Sequence, residues 1–72
     1  MQFISSSQTP GRITRKVLLT TEEAQFSDAD LITVADNSGR HGKPARHFGG
    51  NVKKAKGLKT DRIYALIDIY TD

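Results

Sequence analysis

Arg62-Ile63-Tyr64-Ala65-Leu66-Ile67-Asp68-Ile69-Tyr70 is the stretch that decides the fold. Its side chains alternate, with Ile63, Ala65, Ile67 and Ile69 on one face and Tyr64, Leu66, Asp68 and Tyr70 on the other. A period of two rich in β-branched and aromatic residues is the signature of a strand. Such a strand spans roughly 30 Å, long for a small domain. Its second face is also largely apolar, which suits either a central strand or an edge strand covered by a partner.

Working back towards the N-terminus, Ile13, Val17 and Leu19 repeat the same alternation within Arg12–Thr20, so a second strand is expected there. Arg15 interrupts the apolar face and is expected at an exposed end or on a distorted turn. Thr21-Glu22-Glu23 has the acceptor and acidic first turn that open a helix, placing one short helix near residues 21–30. Leu31-Ile32-Thr33-Val34-Ala35 fits a buried strand or the second half of a helix capped at Ser27. Its β-branched content favours the strand. Residues 1–11, with Ser5-Ser6-Ser7-Gln8-Thr9-Pro10-Gly11, carry linker chemistry and are expected as a flexible N-terminal arm on a single domain covering 12–72.

The expected class is therefore β-rich α+β: three to four antiparallel strands in a small, partly open SH3-like or OB-like barrel, one short helix and a long basic loop. At 72 residues, only about 60% of the unfolded chain's surface can be hidden, so stability is marginal. With 36% hydrophobic residues and no Cys, neither a large core nor disulfides can compensate. A homodimer would help. The absence of Cys fits a reducing, cytoplasmic setting, and neither a signal peptide nor an apolar membrane span is apparent.

Charge is distributed unevenly. Between Asn37 and Thr60 lie Arg40, Lys43, Arg46, Lys53, Lys54, Lys56 and Lys59, with His41 and His47, five Gly and no acid. Outside this window four bases face eight acids. A cationic, Gly-rich stretch is suited to the phosphates of nucleic acid, because each neutralised phosphate also releases a counterion. The expected function is nonenzymatic binding of DNA or RNA through residues 39–59. Arg40, Lys43, Arg46, Lys53, Lys54 and Lys56 would contact phosphates, and His47 and Phe48 would stack on bases. Arg12, Arg15 and Lys16 would extend the surface if their strand lies beside the window. A short strand at Ala45–Phe48 or Asn51–Ala55 would interrupt the loop.

Other motifs carry less. Gly39-Arg40-His41-Gly42 has the form of the G-x-x-G loop of KH domains, but Lys43-Pro44 and Gly49-Gly50 oppose the helix that should follow. Val34-Ala35-Asp36-Asn37-Ser38-Gly39, with Gly49-Gly50 and Val52-Lys53-Lys54-Ala55, is similar to the opening of a β-barrel ribosomal large-subunit protein family. That overlap covers under a third of a chain too short for the rest of the barrel, so it identifies no family and merely points towards RNA. His41 and His47 have poor spacing for zinc and no Cys beside them, and no metal or other cofactor is expected. No serine sits in a nucleophile elbow, and the acids Glu22 to Asp36 read as a solvated face, so no enzyme is expected either.

The competing expectation is a small protein-binding inhibitor or adaptor, of the kind phages and other mobile elements encode. It would act through the acidic segment 22–36 and by adding strand 62–70 to a partner's sheet. Exposure of Tyr64, Leu66 and Tyr70 would favour a protein contact.

Overall fold

The computed structural model describes residues 1–37, 47–58 and 61–71. Four strands and one helix form in the order β1 (Gln2–Thr9), β2 (Arg12–Leu19), a 3-10 turn (Glu23–Gln25), α1 (Asp28–Asn37), β3 (Gly50–Lys56) and β4 (Ile63–Tyr70). The strands make one antiparallel sheet in the spatial order β1-β2-β4-β3. It is an open sheet and not a closed barrel, because β1 and β3 remain its two edges.

β4 has partners on both sides, Ile67 lying between Arg15 of β2 and Val52 of β3. Its apolar second face is thus that of a central strand, and its backbone has no edge to offer a partner. Because β2 and β3 both run antiparallel to β4, they are parallel to each other, with α1 as the crossover between them. Gly49 and Phe48 continue the ladder beyond β3: Tyr70 N–H donates to Gly49 O at 2.9 Å, and Phe48 N–H to Tyr70 O at 3.0 Å.

The presumed arm contains β1, paired with β2 from Gln2↔Leu18 to Thr9↔Arg12 with a bulge at Ile4. Pro10 and Gly11, read as linker, close that hairpin. Pro restricts its own φ, and Gly11 supplies a φ of 81° that a side chain would oppose.

Leu31–Ala35 is helical, not a strand. Ser27 decides this, since its Oγ accepts from Asp30 N–H at 3.2 Å and its carbonyl accepts the Leu31 N–H at 3.0 Å. Asp28 and Asp30 then sit in the first turn, where the helix dipole favours them. Burial of Leu31, Ile32 and Ala35 on one helical stripe outweighs the β preference of Thr33 and Val34. With Val34–Asn37 helical and the sheet open, the barrel implied by the ribosomal-protein likeness is not formed by the described residues.

The helix expected at 21–30 is correspondingly split. Thr20, not Thr21, opens the 3-10 turn: Thr20 N–H donates to Glu23 Oε1 at 2.9 Å and Glu23 N–H to Thr20 Oγ1 at 3.1 Å, the reciprocal pattern of a capping box.

One sheet face carries the core. Ile13, Val17 and Leu19 of β2 join Ala65, Ile67 and Ile69 of β4 and Leu31, Ile32 and Ala35 of α1, with Met1, Phe3, Phe26, Val52 and Ile63 packed around them. Arg15 lies on this same face in mid-strand, opposite Ile67 and Ser6, rather than at an exposed end. α1 packs over β3 and β4, and the opposite sheet face has no helix over it among the described residues.

Candidate nucleic-acid interface

The uncovered face follows from register. Arg12 pairs with Tyr70, Thr14 with Asp68, Lys16 with Leu66 and Leu18 with Tyr64, all pointing away from the core. β3 adds Asn51, Lys53 and Ala55, opposite Asp68, Leu66 and Tyr64. Lys16 and Lys53 therefore flank Leu66 across three strands, roughly 10 Å apart at the backbone from the normal strand spacing. Arg12 lies four residues, roughly 13 Å, along β2 from Lys16. Among the described residues these three cations share the face with one acid, Asp68, whose Oδ1 accepts a 2.7 Å hydrogen bond from Thr14 Oγ1.

Apolar surface is interleaved with the charge. Leu66 is 47% exposed and Tyr70 37% exposed, while Tyr64 is half-buried. At the Arg12 end, the Phe48 ring lies 6.5 Å from that of Tyr70 at 44° and is 68% exposed. Phe48 and Tyr70 thus form an aromatic corner beside a guanidinium, with open ring surface that a base could cover.

The expected site residues part company here. Lys53 belongs to the uncovered face and Phe48 stands at its end. Lys54 and Lys56 point to the opposite, helix side, paired with Ala65 and Ile63. Lys54 Nζ donates to the carbonyls of Ala24 (3.2 Å) and Phe26 (3.4 Å), fastening β3 to the turn before α1. Lys56 Nζ lies 3.7 Å from Asp61 in an exposed pair of little energetic weight. His47 is anchored rather than presented: its Nδ1 lies 2.9 Å from Oδ2 of Asp36, which is buried in the last turn of α1. Arg40, Lys43 and Arg46 lie outside the described residues, as do Lys59, His41 and the G-x-x-G segment.

Tyr64, Leu66 and Tyr70 are visible in the alternation of β4, where their exposure is expected to favour a protein contact. The condition for adding Arg12, Arg15 and Lys16 to the site, that β2 lie beside the window, is not met. β4 intervenes instead, and a side chain on it joins the two strands into one surface. Among the described residues, no three His, Cys, Asp or Glu side chains are grouped to hold a metal ion, and no helix is long and apolar enough to cross a membrane. No family model, curated protein or solved structure matches the chain.

Proposed function

We propose that the protein binds nucleic acid without catalysis, through the uncovered sheet face rather than through the whole basic window. The observation that carries this is the placing of Arg12 and Lys16 on β2 and Lys53 on β3, the two strands that flank β4, with Leu66, Tyr64, Tyr70 and Phe48 beside them and Asp68 as the one acid among the described residues. Cations at this spacing suit successive phosphates of an extended strand, and the rings between them suit its bases. A cytoplasmic location belongs to the same proposal and rests on the absence of Cys.

Titrating labelled single- and double-stranded oligonucleotides at two salt concentrations tests it. Three phosphate contacts give a slope of log K against log salt of about −2 for single strands. Absence of binding at low salt rejects the proposal.

A second reading is favoured by one observation. Leu66 and Tyr70 are exposed on the same face, as a protein-docking module would require. Since β4 is central, such docking would use its side chains and not its backbone edge. A partner that survives nuclease treatment in a pull-down would favour this reading.

A further inference from the structure

On the other side of the sheet, where α1 does not reach, β1 and β2 border a cleft of about 300 Å³. Phe3, Ile4, Ser6, Gln8, Ile13 and Arg15 line it. Arg15 Cζ stands 5.2 Å from the centre of the Phe3 ring, so the ring face supports the guanidinium. Its Nε is buried and has no hydrogen-bond partner among the described residues. A desolvated donor left unbonded is unusual in a folded protein and marks a place where an acceptor is missing. The guanidinium presents a planar fork of donors, and the acceptor matching it in shape and charge is a carboxylate.

The source of that carboxylate is suggested by the strand beside the cleft. β1 is an edge of the sheet, and from Gln2 to Thr9 it bears no charge. An eight-residue edge without Lys, Pro or an inward charge lacks most of the devices that discourage strand addition, the bulge at Ile4 excepted. The other edge, β3, carries Lys53, Lys54 and Lys56. A strand added to β1 would set alternate side chains on the cleft side, roughly 10 Å from the Arg15 backbone at two strand spacings. An extended Glu and an extended Arg can close that gap.

We propose that the free edge of β1 and the Arg15 cleft together receive an extended acidic segment of a partner polypeptide, adding it as a fifth strand with a carboxylate paired to Arg15. The site is separate from the uncovered face and does not depend on nucleic-acid binding.

The test uses the full chain, labelled with ¹⁵N, and two blocked heptapeptides of alternating Thr and Val that differ only in a central Glu or Gln. The Glu peptide shifts the amides of Gln2–Thr9 and the Arg15 Nε–H signal. The Gln peptide binds about tenfold more weakly, the scale of one charge-assisted pair. Arg15→Met abolishes that difference and Arg15→Lys keeps part of it. Equal affinity for the two peptides overturns the proposal, as does a difference that survives in Arg15→Met. So does silence of the wild-type spectrum at about 5 mM peptide, the weakest affinity of interest. The comparison of peptides on the wild-type chain stands even if a variant fails to fold.

Discussion

Replacing Gly50 by Ala should destabilise the protein, although Gly→Ala in a strand ordinarily stabilises it slightly. Gly50 begins β3, pairs with Ile69 and lies on the helix side of the sheet. A Cβ there would collide with the backbone carbonyl oxygen of Asp68, and would come within 3.1 Å of Ile32 Cδ1. Ile32 can rotate, but the Asp68 carbonyl belongs to the central strand and cannot move alone. The β3–β4 pair must therefore shift where α1 rests on it. Such overpacking costs about 1–3 kcal/mol, against a gain of about 0.4–1 kcal/mol from a stiffer unfolded chain. The expected net loss is about 1 kcal/mol. A domain of 72 residues has a total stability of roughly 4–11 kcal/mol at the usual value per residue. With a urea m-value of about 1 kcal/mol/M for so small a domain, the unfolding midpoint followed by circular dichroism should fall by about 1 M. Gly49→Ala is a useful contrast. It meets open space but forces a φ of 137° on a side chain, so backbone strain alone acts there. A Gly50→Ala midpoint equal to or above wild type would refute the close approach of α1, β3 and β4 on which the core is built.

Other consequences can be checked in the same way. Burial works to raise the Glu23 carboxyl pKa, but the N-terminal ammonium at 2.8 Å and the Thr20 hydrogen bonds prevail and hold it below its ordinary 4.5. A pKa lowered on folding adds stability above the unfolded value that fades as pH falls through the native one. Unfolding midpoints should therefore decline below about pH 4.5 in wild type, and the decline should be shallower in Glu23→Gln. Lys54→Gln removes the bonds to the Ala24 and Phe26 carbonyls. It should cost about 0.5–1 kcal/mol in urea unfolding while leaving oligonucleotide affinity unchanged. Ile67→Ala opens a cavity at a fully buried position in β4. It should cost about 2–5 kcal/mol, read as a lowered melting temperature by calorimetry.

How far the fold was legible depended on how each segment is stabilised. β2 and β4 announce themselves because their own alternation buries one face. β1 does not: Ser5, Ser6 and Ser7 have little strand preference, and only pairing with β2 through the Pro10-Gly11 turn makes them a strand. Leu31–Ala35 misleads because a single Ser27 cap and a buried stripe override local β preference. The site was hidden by a similar effect. Lys53, Lys54 and Lys56 form one cluster in sequence, yet the pleat sends Lys53 to one face and the other two to the opposite face. Lys53 gains its neighbours Lys16 and Arg12 through β4, a relation fixed by strand order and not by local sequence.

That divergence gives the most direct test of the proposed function. Lys16→Gln with Lys53→Gln, and Lys54→Gln with Lys56→Gln, remove the same net charge from opposite faces of the sheet. Fluorescence polarisation with a labelled single strand should show the first pair weakened, with its salt slope reduced by about 1.4 for two lost phosphate contacts. The second pair should match wild type in affinity and slope. Equal loss in the two double variants, or loss confined to the Lys54 and Lys56 pair, would contradict the uncovered face as the binding surface.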